Sequence, residues 1–329
     1  MRWLWMVLMA LVVGAPVWAQ RDTVTIVHSN DVFGQLKAFE KEGHIVEGGV
    51  ARRMSRVEAI EGHKLILDAG NALGPSALSA WDQGQVMIDA MRQTGYAALV
   101  PGSHEFDYGL DVLNKRQTEA EFPFLGSNIR AKQGMDLPIE GYRSFTFGRV
   151  KVGVVGVVSK DLGRQIDPKV AERLVFEDPK KPLIEALKTL EDVGVDFVVL
   201  LAHMPEQEIL RLVEEVEGVD LVIAGGYRNV GREKRLPTLT RLASGVEVVT
   251  TPAGGANLGL VRLIFEKEQT SVQRLRMTAE VVLIDGTNQP HPQIASSVER
   301  LFEMYQKETG DVLGIIEGKT LEAQVGAVG

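Results

Sequence analysis

The 329-residue chain contains no cysteine, which excludes disulfides, thiolate metal sites and thiol nucleophiles at once. Positive charge is the minority sign. Its 36 Lys and Arg stand against 44 Asp and Glu, and the formal net charge of −8 argues against a general nucleic-acid or anionic-membrane binder. No apolar run reaches the ~20 residues that a membrane helix needs, and no internal repeat or low-complexity segment stands out. What remains is ordinary globular material, 45% hydrophobic and 24% charged, enough for one large domain or two modest ones.

Residues 1–19 are expected to be a signal peptide rather than part of the fold. Arg2 gives a positive start, residues 4–13 an apolar stretch broken by Gly14 and Pro16, and Val17-Trp18-Ala19 a small-residue cleavage pattern before Gln20. Without a cysteine after the apolar stretch, a lipid anchor is not expected. The mature chain is expected to work in the periplasm or outside the cell.

From residue 23 to about 285, short β-branched runs alternate with amphipathic stretches. Buried strands are predicted at 24–28, 65–67, 98–100, 150–158, 197–201 and 221–224, with helices such as 49–61, 84–94, 181–193 and 205–217 between them. Strands with little intervening helix follow at 247–252, 258–266 and 272–283, then a long helix over 293–309. The pattern predicts an α/β layered domain with a mixed sheet or a pair of sheets.

Polar residues gather where the strands end, which is where ligands bind in layered α/β proteins. The blocks are His28-Ser29-Asn30-Asp31-Val32-Phe33-Gly34, Leu67-Asp68-Ala69-Gly70-Asn71, Pro101-Gly102-Ser103-His104-Glu105-Phe106-Asp107-Tyr108-Gly109, Leu201-Ala202-His203 and Ala224-Gly225-Gly226-Tyr227-Arg228-Asn229. In this order and spacing they resemble the N-terminal domain of the 5'-nucleotidase family of calcineurin-like phosphoesterases. Gly48-Gly49-Val50-Ala51-Arg52, Gly126-Ser127-Asn128-Ile129 and residues 150–156 match secondary signatures of the same family. The resemblance implies a metallophosphoesterase-type α/β/β/α sandwich over residues 20–289. A linker-type helix and flexible tail over 290–329 would follow, without the family's C-terminal nucleotide-binding domain.

The resemblance also implies a pair of divalent ions (Zn, Mn, Mg or similar) that activate a water against a phosphoester. Carried over residue by residue, Asp31 and His203 retain ligand positions, one for each metal, while Asn71 and Asn229 are weak substitutes. Phe33, Ser103 and Tyr227 are lost ligand positions. Two doubly charged ions about 3.5 Å apart repel by roughly 19 kcal/mol at an effective dielectric near 20. A bridging carboxylate offsets much of this and the neutral amide of Asn71 does not. Phe33 has no donor atom, and the Tyr227 phenol is a poor ligand near neutral pH. Paired metals, or any cofactor, are therefore not expected.

His104 matches the family histidine that assists the reacting oxygen; its plain alternative is a loop histidine bonded to Asp31 or Asp107. Glu105, Phe106, Asp107 and Tyr108 are read as bracing that loop. Arg228 either holds a phosphate or carboxylate, or pairs with Asp31 or sits in solvent. Phe33 and Tyr227 are expected to fill the space of the metals. His28 is read as a core residue, and His44, His63 and His291 as surface residues. Asp68 is expected to face away from the metal positions.

Three functions fit. The leading one is a non-catalytic binding or scaffolding protein, with a small phosphorylated ligand or an envelope protein as partner, and no nucleic acid. The second is a phosphoester hydrolase with a mononuclear or rebuilt site, using Asp31, His203 and an asparagine as ligands and His104 as acid. The third is a regulatory partner of an active relative or another exported protein.

Overall fold

Runs of Val, Ile and Leu bounded by polar strand ends pair into two sheets. The computed structural model describes residues 20–41, 43–132, 136–226, 239–267 and 272–309. Strands β1 (Gln20–Ser29), β4 (His63–Asp68), β5 (Tyr96–Leu99), β14 (Asn257–Lys267) and β15 (Val272–Leu283) form the first sheet, in the spatial order β15-β14-β1-β4-β5. The second joins β7 (Tyr142–Phe147), β8 (Val150–Val158), β10 (Phe197–His203), β11 (Leu221–Gly225), β12 (Thr240–Arg241) and β13 (Glu247–Val249), in the order β12-β13-β11-β10-β8-β7. Both are mixed: β1, β4 and β5 run parallel, as do β8, β10, β11 and β13. Two small pairs complete the strands, β2 (Ala38–Lys41) with β3 (His44–Gly48) and β6 (Ile129–Ala131) with β9 (Leu174–Phe176).

Helices cover the sheets. The outer face of the second sheet buries Val155, Val157, Leu200, Ala202, Val222 and Ala224 under Leu183, Ala186 and Leu190 of α6 (Lys180–Asp192) and Ile209, Leu212 and Val213 of α7 (Glu206–Glu215). Those helical residues recur at a spacing of three and four, one stripe of a 3.6-residue period. Beside the first sheet lie α1 (Val50–Glu58), α2 (Ala77–Asp82), α3 (Gln85–Gln93), α4 (Gly109–Ala120) and α8 (Pro292–Thr309), in mutual contact. The short α5 (Pro168–Ala171) leads into β9. The result is a layered α/β sandwich, and the predicted pair of sheets is realised. Among the described residues no helix is long and apolar enough to cross a membrane.

Two details depart from the sequence reading, and α4 is a helix that it did not name. The strand expected over 247–252 stops at Val249, because the Asn30 side chain takes hydrogen bonds from Thr251 and donates to its carbonyl, drawing residues 250–251 into a loop. Helix α4 directly follows the His104 block and buries Leu110 and Leu113. His291 is not a surface residue: α8 packs Ile294, Val298 and Leu301 inward and brings the His291 Nε2 to 3.3 Å from a Glu58 carboxylate oxygen.

Candidate functional site

Parallel strands end on the same side, so the loops after β1, β4, β5, β10 and β11 converge there. Asp31, Phe33 and Asn71 hold left-handed backbone angles, at φ of 50°, 57° and 59°. Asn and Asp tolerate this region; for a bulky residue such as Phe it is strained. The loops are tied by main-chain bonds, from Asp31 N–H to the Gly70 carbonyl at 2.9 Å and from Phe33 N–H to the Asn71 carbonyl at 2.8 Å.

Asp31 is buried, 2% exposed, and its carboxylate is occupied by protein donors. Asn71 Nδ2 donates to Oδ1 at 2.9 Å, Asn30 Nδ2 to Oδ2 at 3.0 Å, and the Gly226 N–H approaches both oxygens at 3.3 and 3.1 Å. The Asn71 amide is equally engaged, because its Oδ1 accepts from the His104 N–H at 3.1 Å and, more weakly, from the Ser103 hydroxyl at 3.5 Å. An ionised aspartate at 71 could not donate to Asp31. The asparagine thereby forms a hydrogen bond between two loops.

Glu105 braces the same loops. Its buried carboxylate accepts four main-chain N–H groups: Ala72 and Leu73 on one oxygen, at 2.7 and 3.0 Å, and Asn71 and Gly102 on the other, at 2.8 and 2.6 Å. His104 Nδ1 lies 2.8 Å from Asp107 Oδ2, so of the two carboxylates considered it is Asp107 that holds this histidine. Burial opposes charging the ring, but the Asp107 hydrogen bond and charge, with help from Glu105 and Asp31, prevail and raise the His104 pKa above its ordinary value. The half-buried Phe33 ring meets His104 edge to face, with centroids 5.5 Å apart.

His203 is 3% exposed and its Nδ1 donates to the Ala69 carbonyl at 2.7 Å, which leaves the Nε2 lone pair unused by any described residue. The ring sits so close to the loops that a side chain at Gly102 or Gly70 would collide with it. Asp68 faces away from this group, as expected, accepting from the Ser29 hydroxyl and from the Gly70 N–H at 2.8 Å. Burial pushes its pKa up to about 7, against the Ser29 bond and with the charge of Glu105. His28 lies buried, its pKa lowered to about 3 by desolvation. Tyr227, Arg228 and Asn229 lie outside the described residues.

Asn30 is the site residue that the sequence reading missed. Its side chain joins Asp31 to Thr250 and Thr251, and the only signal was a buried-type amide inside the first block.

These side chains do not fit a pair of metal ions. A bridging metal needs free lone pairs from several anionic or imidazole ligands, whereas the oxygens of Asp31 are taken by three donor groups and the Asn71 oxygen by the His104 N–H. Among the described residues, His203 Nε2 is a strong donor atom left open at a retained position. Among the described residues no group of three or more His, Asp or Glu is placed to hold an ion.

Comparison with known proteins places this architecture among the calcineurin-like metallophosphoesterases. The structure superposes on a 5'-nucleotidase precursor from Thermus thermophilus with a TM-score of 0.75 and 24% identity, over 89% of this chain and 61% of that one. It superposes on a calcineurin-like phosphoesterase from Bacillus subtilis with a TM-score of 0.74 and 19% identity, over 88% of this chain and 99% of that one. In sequence the chain is 27% identical over 327 residues to the snake venom 5'-nucleotidase of Gloydius brevicauda, covering 90% of this chain and 55% of the relative. No family model matches. In sequence and in fold the chain is thus similar to the 5'-nucleotidase family of calcineurin-like metallophosphoesterases. It spans about half the length of the curated relatives that it matches.

Proposed function

We propose that this protein is a non-catalytic member of its family, an exported binding or scaffolding protein whose former metal cleft is held together by hydrogen bonds. The observation that carries the reading is the Asn71–Asp31 bond of 2.9 Å, which engages two of the former ligand positions with each other. The left-handed angle at Phe33 supports it, since a strained loop persists only where the surrounding structure enforces it. A phosphorylated small molecule or an envelope protein is the partner class proposed for the cleft, and the periplasm or exterior its location.

The open Nε2 of His203 favours one other reading, a hydrolase using a single ion with His104 as acid. Elemental analysis of the protein purified without chelators and then equilibrated with Mn or Zn separates the two. It is combined with hydrolysis assays on AMP and p-nitrophenyl phosphate. Absence of stoichiometric metal and of turnover is expected. One bound ion with turnover establishes the single-ion hydrolase, and two overturn both readings in favour of an intact dinuclear enzyme.

A further inference from the structure

The outer strand of the first sheet is a feature that the cleft leaves unused. β15 runs for twelve residues and pairs with β14 along its length, and it is the outermost strand of its sheet. No described strand pairs with its other edge. Such an edge presents a row of backbone N–H and C=O groups to any second strand, and proteins guard it with proline, bulges, short length or charge. β15 has no proline, and its irregularity lies at Leu275, before the regular stretch 276–283.

The charges on that stretch are arranged for pairing rather than against it. Arg276, Thr278 and Glu280 are exposed on one face, while Met277 and Ala279 pack against the core on the other. Arg276 and Glu280 stand symmetrically about Thr278. In an antiparallel pair centred on Thr278, Arg276 of each copy therefore falls directly opposite Glu280 of the other, with Cβ atoms ~5 Å apart. Glu280 already lies 3.9 Å from Arg262 of β14, and Arg276 has no ion-pair partner among the described residues. The second copy would complete a row of Arg262, Glu280 and Arg276 across the joined sheets. A shift of register by one residue would turn the apolar face of one copy towards solvent, and other registers would lose the matched charges.

We propose that β15 is a self-association edge on which a second copy of this chain adds antiparallel about Thr278. Main-chain hydrogen bonds supply the affinity, and the two Arg276–Glu280 pairs set the register. Sedimentation equilibrium of the full chain over a wide concentration range tests this, using Glu280→Arg and Arg276→Glu separately and as an equimolar mixture. The unaltered protein is expected to dimerise. Each variant alone sets like charges opposite each other twice and is expected to associate about tenfold more weakly or worse. The mixture restores both opposite-sign pairs and is expected to recover association. Both positions are exposed, so unchanged circular dichroism and melting should confirm that the variants fold. An unaltered protein that stays monomeric, association indifferent to both variants, or a mixture that fails to recover would each overturn the proposal.

Discussion

Replacing Asn71 with aspartate restores the family's carboxylate and so asks directly what the asparagine does. In the structure Asn71 Nδ2 donates to Asp31 Oδ1 at 2.9 Å, in a position 5% exposed. Asn71→Asp removes that donor, a charge-assisted bond of about 1.5–3 kcal/mol, and sets two carboxylate oxygens about 3 Å apart. At an effective dielectric near 20 their repulsion is about 5–6 kcal/mol if both ionise. The pair relieves most of this by keeping one proton, so one carboxyl titrates well above its unfolded value, each tenfold gain in proton affinity being worth ~1.4 kcal/mol. A raised folded pKa means stability that is present below the unfolded pKa and lost as pH rises through the folded one. Urea unfolding should therefore show Asn71→Asp about 4 kcal/mol less stable than the unaltered chain near pH 7, a gap that narrows to about 1–2 kcal/mol near pH 4. A variant as stable as the parent at pH 7, or one destabilised equally at both pH values, would refute the idea that the amide holds Asp31.

Two further substitutions test the carboxylates around this pair. Asp68 is pushed up to about pH 7 by burial, so its contribution to stability is full below about pH 4 and lost as pH rises through 7. Asp68→Asn keeps a neutral side chain that can still meet Ser29 and Gly70, and should flatten the urea midpoint between pH 4 and 7; an unchanged slope counts against the assignment. Glu105→Gln turns an NH2 group against two of the four main-chain N–H donors and should cost about 3 kcal/mol in thermal or urea unfolding. A loss under ~1 kcal/mol would show that water replaces those bonds readily.

Much of the fold was legible because its signals are local. The strand predicted at 150–158 coincides with β8 and that at 272–283 with β15, since strand residues declare themselves by type and bounding turns. The bracing role of Glu105, read together with Phe106, Asp107 and Tyr108, was legible too. The bond between Asn71 and Asp31 was not. Sequence weighs an asparagine as a weak ligand, while its role as donor depends on how loops 40 residues apart are set against each other. Glu247 is another tertiary fact: it is fully buried and held by Arg241 from β12 and Arg274 from β15, the latter at 2.6 Å across the two sheets. No spacing rule brings residue 274 to residue 247. The early end of β13 has the same origin, in Asn30, a residue 220 positions away from Thr250.

Three buried carboxylates lie in and beside the cleft, and each is satisfied by a different set of protein donors. Asp31 is met by two amides and a main-chain N–H, Glu105 by four main-chain N–H groups, and Asp68 by a hydroxyl and the Gly70 N–H. The first two solutions share residue 71, whose side chain serves Asp31 while its backbone serves Glu105. That coupling makes the former site hard to rebuild one residue at a time. A histidine at 33 would face an Asp31 already engaged, and an aspartate at 71 would oppose Asp31 before any metal ligand set is complete. Neighbouring changes of this kind are non-additive, so the effect of either one depends on the other. The hydrogen-bonded cleft is thus an arrangement in its own right, with its loops held in the left-handed angles at Asp31, Phe33 and Asn71 by protein groups.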